Sequence, residues 1–238
     1  MHTMAKCIIV MCAFSLVAAA SHARTEVVEG LEVTKIEVGD VAPEFKLFGV
    51  DMRYHTLSQY QDKDVIAVVF TTNHCPVSIW NVDPLVELHE QYHEEHNVQF
   101  LLINPNPVDE VADDGFEEMI ERAEGDVAQP FRFPYLYDET QQIAYEYGVR
   151  RTDTVFLLGP ADDEGQRRVE YIGPVDEEAR NVYPVDEVED PFHMTEALDA
   201  LLAGEEIERP EVEAFGCTVK YRQENARIQR FGYDPFAN

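Results

Sequence analysis

Cys75 stands where an unbroken apolar run, Val65-Ile66-Ala67-Val68-Val69-Phe70, gives way to a longer segment reaching about His96. The run has the length and composition of a strand buried on both faces. In the segment after it, Trp80, Leu85, Leu88 and Tyr92 form an apolar stripe at helical spacing. A thiol at such a junction sits in the first turn of a helix. Unpaired backbone N–H groups and the positive end of the helix dipole favour an anion there. A thiolate is such an anion, and it is the nucleophilic form of cysteine. Pro76 suits the first helical position, where a missing N–H costs nothing. His74, beside the sulfur, favours the thiolate further when protonated. The alternative is an inert cysteine of the core. A lone thiol completes no redox cycle. A sulfenic acid formed on peroxide, or a mixed disulfide formed on a disulfide, waits for a second thiol. Cys217 is the one available, in cis or from a second subunit, unless it merely packs the tail against the domain.

The elements that must position these residues alternate. The stretch 41–48 reads as a first strand, paired with Tyr54 to Leu57 across the turn Gly49-Val50-Asp51. After strand 65–70 and the helix that follows it, Val98 to Ile103 reads as a second buried strand and Gly115 to Ala123 as an amphipathic helix. Phe133 to Tyr137 is a short strand. A helix follows from Asp138 to Tyr147, capped by Asp138 and closed by Gly148. Thr154 to Leu158 and Arg168 to Ile172 are strands around an Asp/Gly turn, and Thr195 to Leu202 is a last helix ending at Gly204. Alternating strands and helices define an α/β fold. The last two strands, joined by a short turn, make its sheet mixed.

Length and charge narrow the function. The 238 residues allow one domain with appendages, and 45% hydrophobic residues suffice for a core. With 18 Lys+Arg against 47 Asp+Glu, the net charge is −29. Such a surface repels nucleic acid and anionic membranes. The run Cys7 to Ala20, with Lys6 before it and Ser21-His22-Ala23 after it, reads as a secretory leader cut after Ala23. It falls short of the ~20 residues that span a bilayer. Cys7 and Cys12 leave with it. The expected organisation is therefore a leader at 1–23, a domain at 24–204 and a tail at 205–238, with an exported product, periplasmic or extracellular, that does not insert into membrane once the leader is removed.

Phe70-Thr71-Thr72-Asn73-His74-Cys75-Pro76, with Val41-Ala42-Pro43-Glu44-Phe45 before it and Phe133-Pro134-Tyr135-Leu136-Tyr137-Asp138-Glu139-Thr140 after it, resembles the redoxin branch of the thioredoxin-like superfamily. That branch includes peroxiredoxins of the alkyl hydroperoxide reductase/thiol-specific antioxidant group and thiol-disulfide oxidoreductases. The resemblance runs from about Val38 to Ala203 and extends to Gly216-Cys217-Thr218-Val219-Lys220-Tyr221. It implies a thioredoxin-like fold, a central mixed sheet flanked by helices. It implies Cys75 as nucleophile, with His74, Thr72 and Thr152 around it; Cys217, the other cysteine left once the leader is gone, is then either a resolving thiol or a structural one. The substrate would be a peroxide or a protein thiol or disulfide, with a thiol reductant and no cofactor or metal.

The departures are informative. Ser78 stands where a thioredoxin-type Cys-x-x-Cys has its second thiol, so this is a monothiol version. Asp153 follows Thr152 where the family carries a cis-proline, so a trans or rearranged loop is expected. A carboxylate there, if near Cys75, opposes thiolate formation. Arg150 and Arg151 either face the sulfur or are solvated. A redox-inactive binding module that kept the fold is the competing reading. His89, His93 and His96 share a helical face, read as solvated rather than metal-binding. The acidic run 108–115 lacks the spacing of a calcium loop and reads as surface.

Overall fold

The computed structural model describes residues 24–28, 31–126, 128–176 and 193–222. The leader expected at 1–23 and the tail end at 223–238 lie outside the described residues.

Strands β1 (Arg24–Val28) and β2 (Leu31–Lys35) pair as an antiparallel hairpin, with Arg24 opposite Lys35. No strand is expected this early. The alternation Leu31-Glu32-Val33-Thr34-Lys35 is nonetheless a period-two pattern. The main sheet holds β3 (Lys46–Gly49), β4 (Tyr54–Thr56), β5 (Val65–Phe70), β6 (Val98–Asn104), β7 (Tyr135–Tyr137), β8 (Thr154–Leu158) and β9 (Val169–Pro174). Its order is β4-β3-β7-β6-β5-β8-β9. The β5–β6 and β6–β7 pairs are parallel, and the others are antiparallel. The sheet is mixed, as expected.

Helices α1 (Pro76–Tyr92), α2 (Phe116–Glu124), α3 (Gln142–Glu146) and α4 (Met194–Ala203) cover it. Successive side chains of a strand face opposite ways. Val65, Ala67 and Val69 therefore join Leu85 and Val86 of α1, Met119 of α2 and Leu198 of α4 in one core. Ile66, Val68 and Phe70 join Ile143 and Ala144 of α3 in the other. Each fully buried Ile, Leu or Phe contributes roughly 1.5–3 kcal/mol of burial, so the central strand is held firmly from both sides.

Three elements differ from expectation, the first being the strand expected at 41–48, which begins only at Lys46. The α1 face turned inward carries Val82, Leu85, Val86, His89 and Tyr92, whereas Trp80 is 54% exposed. The helix expected from Asp138 begins only at Gln142, because Gln141 adopts a left-handed φ of +63°. Asp138 still caps it, its carboxylate accepting the Ala144 N–H at 2.8 Å. Among the described residues, no helix is long and apolar enough to cross a membrane.

Candidate active site

The central strand delivers Cys75 to a helix tip. After Phe70, the Thr71 N–H extends the ladder to the Ile103 carbonyl at 2.9 Å. The chain then turns, and Cys75 becomes the N-cap of α1, extended at φ −71° and ψ 123°, with Pro76 behind it. Its carbonyl accepts the Ile79 N–H at 2.9 Å. The loop before it is held by a carboxylate with no exposed surface. Asp114 accepts the N–H groups of Asn73 and His74 at 2.7 and 3.1 Å, and its other oxygen lies 2.5 Å from His74 Nδ1. Tyr135 completes the loop by donating its hydroxyl to Asn73 at 2.9 Å.

The tail supplies the roof. Residues 211–221 run over the sheet end as a strap. The strap is docked on β9 where the Ile172 N–H donates to the Pro210 carbonyl and the Val212 N–H donates to the Ile172 carbonyl. It then passes the 150–152 loop. There the Thr152 N–H donates to the Cys217 carbonyl, and the Val219 N–H donates to the Arg150 carbonyl. Phe215 and Cys217 pack on Cys75 and Val77. Cys75 therefore has 0% exposed surface.

Cys75 beneath the roof and Cys217 within it are free thiols packed together. The Thr152 hydroxyl donates to the Cys75 sulfur at 3.2 Å and accepts the Cys217 backbone N–H at 3.0 Å. Burial first, then its hydrogen bond to Cys75 and the charge there, push the Cys217 thiol up to about 12. Cys217 is thus held in its protonated form. Of the residues named from the sequence, Cys75, Thr152 and Cys217 are brought together directly. His74 is their neighbour along the chain. Thr72 is buried close by in sequence, and its hydroxyl has no hydrogen-bond partner among the described residues. An unpaired buried hydroxyl is costly and invites a functional explanation.

Asp153 occupies the position that lacks the proline. It is left-handed at φ +62°, and no peptide among the described residues is cis. Its N–H donates to the Phe70 carbonyl at 2.5 Å, tying the loop to the strand end. Its carboxylate accepts the Ser78 hydroxyl at 2.7 Å, so the two departures from the family pattern bond to each other. Burial pushes its carboxyl up to about 6.

Two sequence-level expectations are corrected, and the open reading of the arginine pair is narrowed. Arg151 reaches the strap at the Gly216 carbonyl and the Thr218 hydroxyl, 3.4 and 3.3 Å away, so it tethers the strap. The histidine face is not uniformly solvated. His89 is buried edge-on against Phe100 and Phe133, and burial followed by the proximity of His93 lowers it to about 4. The acidic run is not all surface, because Asp114 is wholly buried at its end. Asp114 and its neighbour Asn106 were not foreseen. The only hint was Asn104-Pro105-Asn106-Pro107, a polar, proline-locked segment directly after a buried strand. Among the described residues, no group of three or more His, Cys, Asp or Glu could hold a metal.

A thiol capping the first helix after the central strand of this mixed sheet defines a thioredoxin-like redoxin. Residues 38–177 match the model of the AhpC/TSA family, and the chain belongs to that family. Membership supports a general thiol redox role. The chain is similar to a hypothetical protein of Sinorhizobium meliloti 1021, 24% identical with a TM-score of 0.67 over 79% of this chain and 96% of that one. It is similar to an uncharacterised conserved protein of Geobacillus kaustophilus, 28% identical with a TM-score of 0.67 over 81% and 96%. A candidate protein disulfide isomerase from Bacteroides thetaiotaomicron, 17% identical over 71% and 91% with a TM-score of 0.50, shares the fold. No curated protein matches the chain in sequence.

Proposed function

We propose that this protein is an exported thiol redox enzyme in which Cys75 is the nucleophile and Cys217 the resolving thiol. The observation that carries this reading is the Thr152 hydroxyl, which touches the Cys75 sulfur and the Cys217 backbone together. The Cys75 thiolate attacks a peroxide oxygen, releasing the alcohol or water and leaving a sulfenic acid, or attacks a disulfide and leaves a mixed disulfide. Cys217 then attacks the Cys75 sulfur. A Cys75–Cys217 disulfide forms, and water or the substrate thiol departs with the Cys217 proton. A separate thiol reductant returns both to the dithiol form. The strap must lift for substrate to reach the sulfur. The leader-like segment ending at Ala23 supports export to the periplasm or beyond.

The complete burial of Cys75 favours a second reading, a binding module that kept the fold. One experiment separates the two. The chain from Arg24 onward is treated with hydrogen peroxide or oxidised glutathione, and its peptides are mapped without reduction. A Cys75–Cys217 crosslink, with oxidant consumed and with neither seen in Cys75→Ser, is expected. Two thiols that stay free under excess oxidant overturn the redox reading and leave the binding module.

A further inference from the structure

The two thiols belong to segments more than 140 residues apart, and something must set their register. Asn106 is buried with 0% exposure, between Pro105 and Pro107, both of which limit backbone freedom around it. Its own N–H is fixed to the Asn104 side chain at 3.0 Å. Its side-chain amide points two ways. The Nδ2 group donates to Asp114 Oδ2 at 2.8 Å, on the carboxylate that holds the loop before Cys75. The Oδ1 atom accepts the Lys220 N–H at 2.8 Å, three residues past Cys217 on the strap. One side chain therefore joins the nucleophile loop to the strap.

We propose that Asn106 is a positioning residue that sets Cys217 opposite Cys75. This rests on the reading that the two thiols pair. Asn106 does not hold the strap down alone. Gln141 also donates to the Lys220 carbonyl at 2.9 Å and accepts the Arg222 N–H at 2.7 Å, and Arg222 grips Asp109 with its side chain. Loss of Asn106 leaves the strap attached and loosens its register to the Asp114-bound loop. Both ends of the amide matter, because Asp114 accepts only and the Lys220 N–H donates only.

The readout is the effective concentration of the thiol pair in the full chain from Arg24, from its equilibrium with glutathione. Cys75–SH, Cys217–SH and one oxidised glutathione give the protein disulfide and two reduced glutathiones. Two electrons and both thiol protons pass to glutathione. Asn106→Ala is expected to lower the effective concentration by about tenfold or more, since small displacements of reacting atoms are costly. Asn106→Asp places a carboxyl against Asp114, with His74 on the far side. It is expected to be as low at pH 7.5 and to recover at pH 5, where the protonated carboxyl again donates to Asp114 and accepts from Lys220. Thermal unfolding is followed alongside. A variant that is less stable yet keeps the wild-type effective concentration overturns the proposal, as does Asn106→Asp with no recovery in acid. Should Asn106→Ala fail to fold, the Asn106→Asp pair of pH values decides alone. A wild-type chain with no measurable disulfide overturns the pairing itself, which is a different result.

Discussion

Gly216 lies against Thr152 so tightly that a side chain would not fit between them. A Cβ built on Gly216 would overlap the Thr152 carbonyl oxygen and stand 2.6 Å from the Thr152 hydroxyl oxygen. The neighbour is backbone, so the strap rather than the loop must give. Gly216→Ala is expected to raise the rate of Cys75 alkylation by iodoacetamide by about tenfold or more and to cost about 1–3 kcal/mol of stability. Mass spectrometry of timed quenches and urea unfolding check it. Unchanged alkylation would mean that the strap does not gate the sulfur.

Thr152→Val keeps the shape and removes both hydroxyl contacts. The Cys217 N–H then loses its acceptor, at a cost of about 1–3 kcal/mol. The Cys75 sulfur loses a donor. Formation of the Cys75–Cys217 disulfide is expected to slow by about tenfold or more at fixed oxidant, an effect of about 1.4 kcal/mol on the barrier. Rapid-quench peptide mapping reads the rate. Equal rates would remove Thr152 from the site.

Asp153 makes stability depend on pH in a definite direction. Burial raises its carboxyl from 3.8 to about 6. Between those values the folded chain binds more protons than the unfolded one, so this group's contribution falls as pH rises toward 6. Above that, ionising the buried group costs up to about 3 kcal/mol. Asp153→Asn keeps a residue that tolerates the left-handed backbone and removes the charge. The variant is expected to be the more stable one above pH 6, with the gap closing toward pH 4. Urea midpoints across that range give the difference. Asp138, raised to about 6 mainly by burial, has the same sign but is present in both proteins. A gap independent of pH would contradict the assignment.

His89 acts oppositely. Lowered from 6.5 to about 4, chiefly by burial, it binds fewer protons folded than unfolded in that window. Its contribution is complete above pH 6.5 and is lost as pH falls toward 4. His89→Leu is expected to lose less stability than wild type over the same acid interval, measured again by urea midpoints. Parallel curves would place the proton elsewhere.

The parts of this architecture written in local pattern were legible. The run 65–70 is β5, the segment after Pro76 is α1, and Gly148 and Gly204 lie in left-handed backbone at the helix ends where expected. Thr152 came from the family resemblance, not from spacing, and it lands on the Cys75 sulfur. What escaped was set by contacts distant in sequence. Nothing around Asp114 distinguishes it from its exposed neighbour Asp113, because its burial depends on Asn73, His74 and Asn106 converging on it. Trp80 fits a helical stripe yet faces outward, since the inward face is chosen by the sheet beneath. That the tail could reach Cys75 was legible from Cys217, but its course as a roof over the sulfur, on chain more than 130 residues downstream, was not.

The strap is moored on β9 at Val212 and beside Arg150 at Val219, and the span between them is tied down by Thr152 at Cys217 and by Arg151 at Gly216 and Thr218. A short span fixed at both abutments behaves differently from a free end. Uncovering Cys75 means giving up the Thr152–Cys217 bonds and the Arg151 tethers while both moorings hold. The cover over the sulfur is therefore a clasp, because these few bonds rather than the two moorings stand between Cys75 and solvent.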